Sequence, residues 1–198
     1  AGDSSRFFLE EDGRGVGWFS VRKTTDAQGR LTYVGSGDKT SVFKYKRFEL
    51  VLDKDFTPIS SFVRATATAA GASIEIGTTY TKGKVVTTAK VNGAKQPVPE
   101  GELSGMTFVM PSSVWSAMAG LSDYLAKQDA AAFKGEFKGY DPLSTLTFAI
   151  KVAGLGTRTV PSGQQQAEVR AFQLTYHIVP PRGRGQPQTV ELILHQYP

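Results

Sequence analysis

One stretch of this 198-residue chain has the residue spacing of a helix, and long runs with the spacing of β-strands lie on both sides of it. Between Pro111 and Gly135, apolar side chains recur at helical spacing and share one stripe: Val114, Met118, Leu121 and Leu125. Ser112 and Ser113 are candidates for the helix N-cap, and Gly135 suits the other end. The sequence therefore predicts one central helical region, at about 112–134, around which the rest of the chain folds.

Gly120 lies inside this predicted helix, where glycine costs roughly 1 kcal/mol relative to alanine. Two shorter helices that meet near Gly120 therefore fit the sequence as well as one longer helix. Trp115 and Tyr124 widen the apolar stripe beyond what a surface helix needs. Two interpretations remain open: the helix covers one open face of a sheet, or its aromatic side chains also line a cavity.

Residues 6–91 consist of short runs that alternate apolar and polar side chains between turn residues. Turns are predicted at Asp12-Gly13, Asp26 to Gly29, Gly35 to Asp38, Lys82-Gly83 and Asn92-Gly93. The run TSVFKYKRFELVL changes parity, and a β-bulge at Lys46-Arg47 would bring its apolar side chains to one face: Phe43, Tyr45, Phe48, Leu50 and Leu52. The pattern predicts an antiparallel meander with one buried and one solvated face.

Further strands are predicted beyond the helix. Alternation is clearest at Leu146, Phe148, Ile150 and Val152, and turns are predicted at Gly154, Gly156 and Pro161 to Gly163. The last runs, VRAFQLTYHIV and QTVELILHQY, are predicted to form a hairpin that pairs Ile178 with Val190, Tyr176 with Leu192 and Leu174 with Leu194. The chain is therefore predicted to be one domain, residues 1–198, of mainly β class. Its antiparallel meander would form an open or half β-barrel wrapped around the central helical region.

The composition excludes several classes of protein. Basic residues outnumber acidic residues by 23 to 18, but they are scattered, so no nucleic-acid surface is predicted. The lack of cysteine excludes disulfides and thiolate chemistry, and no apolar run approaches the roughly 20 residues that span a bilayer. The opening residues AGDSSR, without methionine, suit a mature protein after removal of a signal peptide, as they would suit a trimmed chain. We expect a periplasmic or secreted protein.

The histidine and serine motifs give no support for catalysis. In the predicted hairpin His177 falls opposite Glu191 and His195 opposite Gln173, which are too few ligands for a metal site. Ser41-Val42-Phe43-Lys44 matches S-x-x-K, but that motif needs its serine at the start of a helix, and Ser41 lies in a predicted strand. Phosphate-loop, Rossmann and zinc-protease motifs do not occur in the sequence. The sequence therefore predicts no catalytic residue, no cofactor and no metal, and hence a protein that is not an enzyme.

The candidate ligand site is formed by apolar residues of the helix and of the segment before it. Residues 93–112 contain Pro97 and Pro99, which disfavour a central strand, so this segment is predicted to be a lid or rim. A slot between it and the helix would suit a hydrophobic ligand, whereas full packing of the helix would leave an ordinary core. The predicted hydrophobic site consists of Trp18, Met106, Phe108, Met110, Val114, Trp115, Met118, Leu121 and Leu125.

Three turns give the chain a resemblance to a known family. They are Asp12-Gly13-Arg14-Gly15-Val16-Gly17 in the first hairpin, Val91-Asn92-Gly93 before the proline-containing segment, and Tyr140-Asp141-Pro142 after the helix. In this order of turns the chain resembles the uncharacterised secreted bacterial half-barrels that are similar in fold to the periplasmic lipoprotein carriers. The resemblance implies an open antiparallel sheet around a helix, with an apolar concave face that receives acyl chains in the carriers. It supplies no catalytic residues.

The sequence thus leaves two functions. The first is a non-catalytic binding or carrier module of the bacterial envelope, whose apolar concave face holds a lipid or another hydrophobic small molecule. The alternative is a structural or protein-interaction subunit, with an envelope protein as partner, whose core is filled and holds no small ligand.

Overall fold

The computed structural model describes residues 3–11, 14–37, 43–111, 115–162, 164–180 and 185–198, which form two β-sheets with a helix between them. The first sheet runs in chain order through β1 (Asp3–Glu11), β2 (Arg14–Thr25), β3 (Leu31–Gly37), β4 (Phe43–Leu52), β5 (Pro58–Ala67), β6 (Ser73–Thr81), β7 (Lys84–Val91) and β8 (Ala94–Gln96), and β9 (Gly101–Glu102) also pairs with β7. The second contains β10 (Thr107–Val109), β11 (Lys134–Asp141), β12 (Leu146–Ser162), β13 (Gln165–Ile178) and β14 (Gln188–Gln196). The predicted fold class is confirmed: the protein is mainly β, its sheets are not closed into a barrel, and they surround one helix.

The predicted turns of the meander are formed by the residues that favour them. Asn92 and Gly93 have φ angles of 50° and 81°, and Lys82 and Gly83 have 50° and 83°, as two-residue hairpin turns require. At the turn before β3, Asp26 Oδ1 accepts the backbone N–H groups of Gln28 and Arg30, both at 2.9 Å. The Asp12-Gly13 turn lies outside the described residues, but the strands on either side of it are paired as predicted.

The predicted β-bulge in β4 is also confirmed. The pairing of β4 with β5 shifts by one residue between Tyr45 and Arg47. Tyr45, Phe48, Leu50 and Leu52 are consequently all buried, while the side chain of Phe43 lies outside the description. The bulge gives β4 one continuous apolar side that faces the helix.

Gly154 and Gly156 were predicted to form turns, and this was wrong because β12 continues through both to Ser162. The pairing of β12 with β13 shifts between the two glycines, and Gly156 has a φ of 76°. Their N–H groups donate to the carbonyls of Phe133 and Ala130, both at 2.7 Å. Glycine is as common at a β-bulge as at a turn. Here the bulge directs the backbone N–H groups of the two glycines toward the segment after the helix.

The predicted hairpin of β13 and β14 is present, but its predicted register was wrong by two residues. Val190 pairs with Tyr176, Leu192 with Leu174, and Leu194 with Phe172. Because side chains alternate with a period of two, a shift of two residues keeps every apolar side chain on the same face. The sequence pattern therefore cannot distinguish these two registers.

The helical region is shorter than predicted. A 3₁₀ turn, Trp115–Ala117, leads into helix α1, Met118–Leu125, which continues through Gly120 without a break. Asp129 then accepts the N–H of Ala131 through its side chain and that of Phe133 through its carbonyl, both at 2.9 Å. Such a turn competes with helix, and Gly135, predicted as a helix end, lies in β11. Ser112 and Ser113 are outside the description, and in the described chain no helix is long and apolar enough to cross a membrane.

The segment predicted to be a lid contributes a strand to the interior. β10 pairs in parallel with β11, and its three residues, Thr107, Phe108 and Val109, are all buried. A strand covered on both faces has no polar alternation, so the sequence pattern did not reveal it. Residues 93–112 are thus partly core and not wholly a lid or rim.

Gly35 was predicted to open a turn, but it lies in β3, buried against the 3₁₀ turn. A Cβ atom added to it would be 2.5 Å from Cβ of Ser116. We expect Gly35→Ala to force the helical segment away from the sheet and to lower the free energy of unfolding by about 1–3 kcal/mol, measured by urea denaturation. The exposed neighbour provides the control, because Ser36→Ala should change stability by less than about 0.5 kcal/mol.

A second substitution tests whether this contact causes the effect. Combining Gly35→Ala with Ser116→Gly should recover part of the lost stability, because the added methyl group then has space. Equal stability of Gly35→Ala and the natural protein would contradict the close packing of this segment on β3.

Candidate functional site

Helix α1 lies between the two sheets and contacts both. Toward the first sheet, a Cβ atom added to Gly120 would lie 3.1 Å from Cδ1 of Leu52 and 3.5 Å from Cδ2 of Leu50. Toward the second sheet, the hydroxyl of Tyr176 donates to Sδ of Met118 at 3.2 Å. Gly120, considered above as a point where the helix could break, instead allows the helix to approach β4 closely.

Aromatic rings occupy the space between α1 and β10, where the sequence predicted a slot. The ring of Tyr124 contacts Phe56, Phe108 and Phe137 edge-on, with centroid distances of 5.6, 5.7 and 5.4 Å. Phe133 is nearly parallel to Phe137, with centroids 6.3 Å apart. These are favoured geometries for packed aromatic side chains, so the protein's own rings fill this region.

The predicted site residues divide into three groups. Six lie together in or against the core: Met106, Phe108, Met110, Met118, Leu121 and Leu125. Val114 lies outside the described residues, as does the side chain of Trp115. Trp18 is 47% exposed, because its neighbour Phe19 points inward and adjacent strand residues face opposite sides. The Trp18 ring lies beside the guanidinium of Arg6, 5.8 Å away.

Polar side chains fasten α1 to the first sheet. Asp123 Oδ2 accepts hydrogen bonds from Lys23 Nζ and from the hydroxyl of Tyr33, both at 2.8 Å. Burial, and then the charge of Asp123, raises the pKa of Tyr33 above its ordinary value, so the phenol remains a donor. Both charged side chains are 32% exposed, and such pairs contribute at most about 1 kcal/mol. The contact therefore orients the helix more than it stabilises it.

Arg170 of β13 fastens the other end of α1. Its guanidinium donates from Nη1 to the carbonyl of Ala126 at 2.8 Å, and from Nη2 to the carbonyls of Leu125, at 3.3 Å, and Gln128. The last carbonyls of a helix have no partner within the helix, and a cation is favourable beside them. Arg170 thus caps the helix from the second sheet. The roles of Arg170, Lys23 and Tyr33 could not be predicted from the sequence, because a single polar residue in a strand gives no signal of its partner.

We expect Arg170→Met to destabilise the C-terminal end of α1. A hydrogen bond to a charged group contributes about 1.5–3 kcal/mol, so amide hydrogen exchange of residues 122–128 should become roughly tenfold faster or more. Arg158→Met, at an exposed position of β12, is the matched control and should leave exchange in this segment unchanged. Unchanged exchange in Arg170→Met would show that the cap does not hold the helix.

The tyrosines with perturbed pKa values belong to the core. Burial raises the pKa of Tyr45, Tyr80, Tyr140 and Tyr176 above the ordinary value. Tyr80 also shares a 3.0 Å hydrogen bond with Ser61, and its ring meets that of Tyr140 edge-on. A phenol that holds its proton more tightly than usual is a poor base or nucleophile at neutral pH. These side chains therefore serve packing.

These buried phenols predict loss of stability in alkali. In the unfolded chain a tyrosine releases its proton near pH 10, whereas the folded protein keeps the proton to higher pH. The unfolded state then binds fewer protons, so stability is full below about pH 10 and falls as the pH rises further. We expect most tyrosinate absorbance to appear together with unfolding, and Tyr176→Phe to weaken the pH dependence. Ionisation of all tyrosines in the folded protein near pH 10 would contradict this.

Both histidines lie on the outer face of the second sheet. His177 pairs with Thr189, with Nδ1 3.2 Å from the threonine hydroxyl, and His195 pairs with Ala171. The predicted pairings with Glu191 and Gln173 were wrong, because the hairpin register differs by two residues. Within the described residues, no group of three or more histidine, aspartate or glutamate side chains is placed to hold a metal ion.

Two depressions lie on the outer faces of the sheets. One, of about 360 Å³, is lined by residues of β11, β12 and β13 that include Lys134, Lys151 and Thr175. The other, of about 270 Å³, lies over Gly77 and Phe62 in the first sheet. Both are open to solvent and are lined by polar and apolar residues together, and neither includes a residue of the predicted hydrophobic site.

Strand β14 is an edge of the second sheet. It pairs with β13 on one side, and no described strand pairs with its other side. Leu192 and Leu194 pack against the core, whereas Ile193 and Tyr197 are each 55% exposed. An exposed edge strand with apolar side chains is a template for further strand pairing. The sequence carried this signal, since alternation in QTVELILHQY puts Ile193 on the outward face.

Comparison with known proteins identifies no relative of this chain. No protein-family model, curated protein or solved structure matches it. The resemblance to secreted half-barrels stays a prediction. The packed helix and the exposed edge strand are the features of the described structure that bear on function.

Proposed function

We propose that this chain is a non-catalytic protein-interaction module whose core is filled by its own helix and which binds through its surface. The close fit of α1 into the concave face supports this proposal. Gly120 brings the helix close to β4, and at Gly35 an added methyl group would overlap Ser116. Leu121 and Leu125 of the helix are fully buried.

The close contacts at the glycines favour a helix α1 that is packed permanently in the core over a helix that occupies a ligand site only until the ligand binds. A pocket for a drug-sized or larger ligand has a volume of about 300–1,000 Å³. At Gly35 and Gly120 the backbone approaches the neighbouring side chains too closely to leave such a volume at these two points. Six residues of the predicted site belong to the core cluster or pack against it, which favours a role in packing.

A lipid or hydrophobic-ligand carrier is the second candidate, and one observation favours it. The ion pair of Lys23 with Asp123, which holds α1 to the first sheet, is polar and partly exposed. Release of the helix would expose an apolar concave face. Burial of Met118, Leu121 and Leu125 contributes about 5–9 kcal/mol in total, comparable to the whole binding energy of a micromolar complex. A ligand that displaced the helix would first have to offset this lost free energy of burial, and only the remainder would contribute to its affinity.

Ligand binding separates the two candidates. For protein purified without detergent, we expect native mass spectrometry to detect no bound lipid and calorimetry to detect no saturable binding of a long-chain fatty acid. Leu121→Ala is the matched positive control, because a large-to-small substitution at a fully buried site leaves a cavity that can take up a small apolar probe such as benzene.

Saturable fatty-acid binding by the natural protein would contradict the filled-core proposal. Tighter binding by Asp123→Asn, which removes the charge that fastens α1, would then favour the carrier. The bacterial envelope as location, and an envelope protein as partner, stay predictions.

A further inference from the structure

We infer that the partner of β14 is a second copy of this chain, joined by antiparallel pairing of the two β14 strands about a twofold axis at Ile193. The inference rests on the proposed interaction function and names its partner. It follows from the free edge of β14, from the way the other edges are protected, and from the order of side chains along the strand.

β14 differs from the other sheet edges of the described structure. β8 and β9 are only three and two residues long, and Pro97 and Pro99 lie between them. β10 is buried. β1 carries exposed charged side chains at Asp3 and Arg6. Short length, charge, proline and burial are the usual protections against edge pairing. The nine residues of β14 contain no proline, lysine or arginine, and Glu191 is their one carboxylate.

A twofold axis at Ile193 makes β14 complementary to itself. Ile193 faces Ile193 of the other copy, and Glu191 of each copy faces His195 of the other. On the inward side, Leu192 faces Leu194. Opposed apolar pairs and carboxylate–imidazole pairs are favourable across strands, and the twofold axis produces the Glu191–His195 pair twice.

Other registers lose this match. An axis at Glu191 places two carboxylates directly opposite each other, which is unfavourable. An axis at Leu192 or Leu194 leaves Glu191 or His195 facing Ile193. An axis between residues would pair outward-facing with inward-facing positions and so turn the apolar side of one strand to solvent. The register centred on Ile193 therefore fits the side chains best.

In the dimer, the second sheet of one copy would join the second sheet of the other to form one continuous sheet. The inward side chains of each β14 stay on the core side, since Leu192 and Leu194 keep their packing against the core of their own copy. The outward face then carries a central apolar pair at Ile193. Tyr197, exposed just beyond the end of β14, lies opposite Thr189 of the other copy.

Charge exchange at β14 tests the inference, with sedimentation equilibrium as the measurement over a micromolar to submillimolar range. The natural protein should show concentration-dependent dimer formation. His195→Glu places like charges opposite each other twice and should weaken the dimer by at least about tenfold. Adding Glu191→Lys to His195→Glu restores opposite charges and should restore the dimer. Ile193→Lys should abolish it.

Folding and surface charge are controlled separately. All variants should keep the circular dichroism of the natural protein, because Glu191, Ile193 and His195 are exposed. Thr157→Glu, at an exposed position of β12, adds the same charge away from β14 and should not change association.

A natural protein that stays monomeric overturns the inference, as does a dimer that survives both His195→Glu and Ile193→Lys. If that monomer also binds no fatty acid, the proposed interaction function stands with another partner. A dimer that responds to the charge exchange but also binds fatty acid supports the inference and overturns the filled core.

Discussion

The close approach of one short helical segment to two strands is the contact on which the structure depends. Two open sheets each have an apolar face that must be covered, and the described chain supplies an eight-residue helix for both. A helix of that length covers enough surface only if it lies deep between the sheets. Gly35 under the 3₁₀ turn and Gly120 within α1 provide the necessary space, because neither has a side chain to hold the backbones apart.

The contacts around α1 divide between stabilisation and orientation. Leu121 and Leu125, without exposed surface, provide most of the stabilisation by burial. The polar contacts fix the direction of the helix: Asp123 bonds to the first sheet, and Arg170 and Gln196 of the second sheet bond to carbonyls near its end and to Ser122. The helix therefore links the two sheets, so a change that disturbs its packing should destabilise both of them.

The sequence predicted what depends on local pattern and missed what depends on tertiary contact. Turn residues such as Asn92-Gly93 and the bulge at Lys46 were found, because each follows from a few neighbouring residues. The register of β13 and β14 was not predicted correctly, since a shift of two residues leaves every side chain on the same face of the sheet. The burial of β10 on both sides was also missed. For the site, the apolar residues of α1 were found, but the glycines that decide whether they fill a core or line a cavity were assigned to turns or breaks.

Helix α1 contacts both the first sheet and the strand whose edge is exposed. Asp123 of the helix bonds to Lys23 and Tyr33 of the first sheet, and Gln196 of β14 bonds to Ser122. In the described structure β14 pairs with β13 alone, and the sheets are not closed into a barrel. The inward face of β14 is therefore occupied by the chain's own core and helix, so that only the backbone groups of its outer edge are left for pairing with another chain.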